Sequence, residues 1–172
     1  MSSPMESEEL TPRIRAMQIV AGALVLGALI FLGVVIAIRL AGQAPRPPKT
    51  PMLSYVGIVF TVMVLVPLAL VPDRVIAAGR KQIARGERDA STASDETLRL
   101  ANLYQNCMII RLALLEGAAF FQIIIFHLEG QQLSLILALI LVVGMVLLFP
   151  TRARVESWIE KQQEKLEEER WT

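Results

Sequence analysis

Apolar residues in this chain do not recur at the spacing of an amphipathic helix or strand; they fill four long blocks. The blocks run over about residues 16–38, 52–71, 106–128 and 133–149. None carries a polar stripe at helical period, so each reads as a helix that is apolar all round. About 20 apolar residues cross ~30 Å of hydrocarbon. The first three blocks meet that length. The fourth is short, but Glu129-Gly130-Gln131-Gln132 is so brief a turn that it pairs with the third as a hairpin. The expected fold is all-α: an integral membrane four-helix bundle built of two hairpins, followed by a C-terminal cytoplasmic amphipathic helix.

The segments between the blocks divide the chain further. Residues 1–12 are acidic, carry two prolines and read as a disordered tail, which leaves 13–150 as the transmembrane domain. The proline-rich loop Ala41–Pro51 favours extended backbone. The inner loop 72–105 opens with Asp73 as an expected N-cap for a short basic helix, lying on the anionic inner leaflet or simply solvated. Ser94, Asp95 and Glu96 signal that the third helix starts well before its apolar block. In 151–172, Val155, Trp158, Ile159 and Leu166 share one helical face, with Arg152/Glu156 and Lys165/Glu169 paired at i,i+4 on the other. Trp158 fits an interfacial anchor, and a short coiled-coil seam is the alternative.

The hairpins also resemble each other. Ile38-Arg39-Leu40-Ala41-Gly42-Gln43 matches Phe126-His127-Leu128-Glu129-Gly130-Gln131, and Leu70-Val71-Pro72-Asp73-Arg74 matches Leu148-Phe149-Pro150-Thr151-Arg152. A parallel two-plus-two repeat explains both matches, as does the shared chemistry of helix ends.

Composition agrees with this reading: 54% of residues are hydrophobic and 19% charged, and mean hydropathy is +0.53. That excludes a water-soluble enzyme domain. The net charge of +1 hides a segregation. With the N-terminus inside, thirteen of the seventeen Lys and Arg residues fall in inner segments and three (Arg39, Arg46, Lys49) in outer ones. The positive-inside rule then puts both termini in the cytoplasm of a multi-pass protein of the inner (plasma) membrane. The first block is too long for a signal-peptide core and reads as a retained span. Cys107 is the single cysteine, which excludes an internal disulfide and a multi-cysteine metal site.

The candidate functional residue is Glu116, halfway along 106–128. An acid at the bilayer centre costs ~2.5–3.5 kcal/mol on insertion scales, so it is expected to face the bundle interior, partnered or functional. Arg111 lies about 7.5 Å along the axis and about 140° around from it, too far round to pair, and can snorkel to the inner headgroups. Gln122 and Gln18 are further polar groups within the spans, and His127 lies near an outer end. Ala23 with Gly27 and Gly33 with Ala37 form small-xxx-small pairs on the first helix, and Gly117 flanks the glutamate; these are expected at helix contacts. Pro67 frees a carbonyl in the second span that the acid could reach.

The run Arg111-Leu112-Ala113-Leu114-Leu115-Glu116-Gly117-Ala118-Ala119-Phe120-Phe121 resembles the ion-carrying helix of rotary ATPase proteolipids, the ring subunits, where a mid-membrane carboxylate follows a similar Ala-Leu-rich stretch. In duplicated four-helix proteolipids one hairpin alone keeps the acid, and by the repeat alignment Ala28 stands opposite Glu116 here. The chain departs from that pattern in lacking a dense alternating-glycine run, in its long inner loop without an Arg-Gln-Pro signature, and in its cytoplasmic tail. It looks more like a family of small, uncharacterised bacterial four-helix membrane proteins. These share a third helix of the form I-I-R-x-A-L-x-E-G-A-A and a fourth ending P-T-[RK]-x-[RK]-[IV]-E, here Pro150-Thr151-Arg152-Ala153-Arg154-Val155-Glu156. The likeness covers about a third of the chain and implies no particular activity.

Two functional expectations follow. One is a non-enzymatic accessory or assembly protein, since the chain holds no nucleophile–base pair, phosphate loop or metal-ligand spacing. The other is a proton- or cation-handling protein with Glu116 as carrier. No cofactor, metal or nucleic acid is expected; the expected partners are membrane lipids of the anionic inner leaflet and either further copies of the chain or a membrane complex.

Overall fold

The computed structural model describes residues 4–45, 50–86 and 93–170. Its elements are helices: α1 (Pro4–Leu40), α2 (Met52–Gly86), α3 (Ala93–Glu129), α4 (Gln132–Leu147) and α5 (Arg152–Arg170). Three stretches are long and apolar enough to cross a membrane: Leu10–Leu40, Met52–Gly79 and Thr97–Glu129, of 31, 28 and 33 residues. Helix α4, at 16 residues, is shorter. Residues 1–3, 46–49 of the proline loop and 87–92 of the inner loop lie outside the described residues.

Two elements run further than the sequence suggests. Helix α1 begins at Pro4 and continues through Pro12, so most of the segment read as a tail is helical. The reason is tertiary: Leu10 and Ile14, one turn apart, are both buried in an apolar cluster, and packing overrides the weak local propensity. Helix α2 continues through Pro67 and Pro72 to Gly86, so Asp73 lies inside a helix and does not cap one. A proline forfeits one backbone bond and strains the preceding turn, but it does not end a helix whose neighbouring turns are held by packing. Helix α3 begins at Ala93, next to its Ser94–Asp95 signal.

The chain forms two compact units. The first comprises Met1–Val20, Leu70–Ile110 and Pro150–Thr172. Its core is a cluster of Leu10, Ile14, Leu100, Ala101, Val155, Ile159 and Leu166, with Tyr104 and Trp158 packed against it. The apolar face of α5 is therefore covered by α1 and α3. Trp158 meets the Tyr104 ring edge-on at 5.2 Å. Gln163 Nε2 donates to Thr97 Oγ1 at 3.1 Å, Gln18 Nε2 to the Pro150 carbonyl at 3.1 Å, and Arg13 to the Asn102 side chain. The Arg152–Glu156 pair closes at 2.7 Å on the exposed face of α5.

The second unit comprises Ala21–Ala69 and Arg111–Phe149. Its polarity is the reverse of a soluble domain's. The buried stripe of α2 is Ser54, Gly57, Thr61 and Val64, while Tyr55, Val56, Val59, Val62, Met63 and Val66 are exposed. Helix α4 likewise buries Ser134 and Ala138 and exposes Ile136, Ile140 and Val143. Water-soluble monomers rarely expose so many bulky apolar side chains together. Small or polar inside and bulky apolar outside is the arrangement that lipid favours, because tails solvate leucine well and hydrogen bonds and close packing hold the helices together.

Candidate functional site

Helix α3 is the most buried of the three long helices, 39% of its span against 22% and 24%. It also takes part in each polar contact described between helices of the second unit. It meets α1 through Phe120 edge-on to Phe31 at 5.2 Å, and α2 through Phe121 on Phe60 at 4.8 Å. Beside that ring pair, Gln122 is fully buried and its Nε2 donates to Thr61 Oγ1 at 2.8 Å. Gly57 allows this: a methyl there would lie 2.4 Å from Ile125 Cδ1 and 3.1 Å from both amide atoms of Gln122. On a third side, Leu115 packs near Gly144 of α4.

Glu116 lies one helical position from this core. Its Oε1 sits 3.7 Å from where a Cβ on Gly27 of α1 would be, an ordinary van der Waals distance, so the carboxyl lies beside α1 at Gly27. Glu116 is half-buried and makes no hydrogen bond or ion pair among the described residues. Arg111 is also half-buried, and the two do not meet, as their angular separation requires. Ala23, Gly33, Ala37 and Gly117 are exposed, with open space where Cβ atoms on Gly33 and Gly117 would lie. The buried stripe of α1 in this unit is Ala21, Ala28, Leu32 and Val35.

At the end of α3 the structure adds a feature that its sequence neighbourhood does not announce. Arg39, in the last turn of α1, donates from Nη1 to the carbonyls of Phe126 and His127, each at 2.8 Å, and its guanidinium stacks 4.8 Å over the Phe126 ring. A cation thus caps the C-terminus of α3, where the helix dipole is negative. Glu129, the last residue of α3, is 3% exposed. It accepts from the backbone N–H of Leu53 at 2.8 Å, from that of Ser54 at 2.9 Å and from Ser54 Oγ at 2.5 Å. An anion thus caps the N-terminus of α2. Gly130 makes the junction fit: its φ is +69°, and a Cβ there would stand 2.5 Å from Arg39 Nη2. Three helices are tied together at one end by two reciprocal caps.

The helices are long and apolar enough to span a membrane, which is consistent with a membrane protein, and among the described residues Glu116 is a carboxyl without a hydrogen-bond partner within such a helix. No family model, curated protein or solved structure matches the chain.

Proposed function

We propose that the chain is a non-enzymatic, multi-pass integral membrane protein of accessory or assembly type, with four crossings and both termini in the cytoplasm. The observation that carries this is the composition of the first unit. It gathers three segments remote in sequence, the N-terminus, 70–110 and 150–172, and with them thirteen of the seventeen Lys and Arg residues. Val155, Ile159 and Leu166 packed with Leu10, Ile14 and Leu100 support reading the two termini as lying on one side. Three long crossings alone would separate them, so α4 is read as the fourth. Its 16 residues span about 24 Å, and the adjoining Leu148 and Phe149 extend its apolar length. Basic residues resist translocation, so this shared side is read as the cytoplasm of the inner membrane. The amphipathic α5 then serves as part of a cytoplasmic platform. The paired glycines Gly42 and Gly130, with φ +72° and +69°, and the Leu53-Ser54 and Leu133-Ser134 starts of α2 and α4 support a repeat of the two hairpins. The likeness to small four-helix bacterial membrane proteins suits the same reading.

Cysteine accessibility tests the topology. Thr50→Cys should react with an impermeant maleimide in intact cells, and Thr151→Cys only after permeabilisation; the reverse order would overturn it. The assembly role predicts that in native membranes the chain migrates within a larger complex that changes size when the chain is deleted. Migration alone with no complex altered would refute it.

A second reading, Glu116 as a proton or cation carrier, draws on its position mid-span without a partner. It predicts carbodiimide labelling of Glu116 and loss of cation or proton flux in Glu116→Gln proteoliposomes. Unlabelled protein with unchanged flux would remove it.

A further inference from the structure

Among the described residues Glu116 has no hydrogen-bond partner, although the cost of a carboxyl in hydrocarbon demands one. Its surroundings are low-walled. On its own helix, Ala113 at i−3 and Gly117 at i+1 are exposed, and a Cβ on Gly117 would meet nothing within 4 Å. On α1, Ala23 lies one turn from the Gly27 that Glu116 touches, and it too is exposed. No bulky side chain at these positions would keep a second backbone away.

We propose that Glu116 is the centre of a two-fold contact between parallel copies of the chain, its carboxyl hydrogen-bonded to Glu116 of the second copy. Three arguments single out a second copy as the occupant. A two-fold axis along the membrane normal places both carboxyls at one depth, which an unrelated helix would have to match separately. A two-fold contact also requires a self-complementary group at its centre. A pair of carboxyls sharing protons meets this requirement, since each can donate and accept. Finally, the exposed Ala23, Ala113 and Gly117 allow the close backbone approach that helix association in lipid relies on. The proposal rests on the spanning topology above. Cysteine accessibility tests that topology without reference to assembly, so the two can fail separately.

The test is Förster transfer between donor- and acceptor-labelled full-length chains in proteoliposomes, titrated over protein-to-lipid ratio. The wild type should dimerise, and Glu116→Ala should weaken dimerisation about ten-fold. Glu116→Gln should stay close to wild type, because an amide is also both donor and acceptor, and Gly117→Ile should block approach with the carboxyl intact. Ile140→Ala, on the exposed face of α4, should change nothing. Circular dichroism shows that each variant is folded before it is counted. As a second measurement, Glu116→Cys in a Cys107→Ser background should form a disulfide-linked dimer under mild oxidation, whereas Ile140→Cys in the same background should not. A wild type that is monomeric at every ratio, an Ala variant that assembles as tightly as wild type, or a Gln variant as weak as Ala would each overturn the proposal.

Discussion

The junction of Arg39 with Gly130 yields a prediction that a generic stability argument would not make. Consider Arg39→Ala, Gly130→Ala and the double variant. Removing Arg39 deletes two hydrogen bonds from a charged donor to the Phe126 and His127 carbonyls, together with the stack on Phe126. The site is part-buried, so the lower part of the range for charged bonds applies, and the loss is about 2–3 kcal/mol. Gly130→Ala acts in two ways. A left-handed φ of +69° costs an L-residue about 1–2 kcal/mol. The new Cβ, 2.5 Å from Arg39 Nη2, also pushes the guanidinium off its carbonyls and forfeits most of the same 2–3 kcal/mol. The single glycine variant should therefore lose about 3–4 kcal/mol. In the double variant the clash has no target, so only backbone strain is added to the arginine loss. Its total should again be about 3–4 kcal/mol, with a coupling of about 2 kcal/mol between the sites. Reversible unfolding in mixed detergent–SDS micelles, followed by far-ultraviolet circular dichroism, measures all three. Losses that add within about 0.5 kcal/mol would refute the argument, because independent sites behave that way.

Two further outcomes test the other cap and the first unit. Glu129→Ala should speed hydrogen exchange at the Leu53 and Ser54 amides selectively, while amides in the middle of α2 keep their protection; mass spectrometry of the α2 N-terminal peptide reads this. Leu100 is fully buried in the α1–α3–α5 cluster, so Leu100→Ala should cost about 2–4 kcal/mol and expose α5 to proteolysis, with cleavage in 152–170 as the readout.

What was legible in the sequence follows from the range of each signal. The three helices of span length are visible because each contains one uninterrupted local apolar run, the kind that crossing a bilayer needs. The early start of α3 is visible because Ser94, Asp95 and Glu96 are local helix-start residue types, and so is the apolar face of α5, since Val155, Ile159 and Leu166 repeat at helical spacing. What covers that face is not local: Leu10 and Leu100 are remote in sequence, and Leu10 sits in a segment whose acidity and prolines read as a tail. Proline is locally a helix-ending signal, yet α1 runs through Pro12 and α2 through Pro72. Glu129 was invisible as a cap for a related reason. It stands in a Glu-Gly-Gln-Gln turn and has the composition of one, yet its donors are some 75 residues away.

The placement of these polar contacts has a physical logic of its own. In lipid, apolar side chains gain little by leaving the tails for one another, so helix order must be encoded by hydrogen bonds and by small residues. In the second unit those bonds converge on α3, with Gln122 fixing α2 midway, Glu129 fixing the start of α2, and Arg39 fixing the end of α1 on α3. Two of the three use a helix terminus, where unpaired N–H or C=O groups have to be satisfied in any case, so the same bonds that complete the helices also fix which helix lies beside which. Glu116 is the exception. It completes no terminus and bonds to no neighbour, and the helix order is already specified without it. A carboxyl midway along a span-length apolar helix, which the single chain does not need for its own order, is what the proposed contact with a second copy would explain.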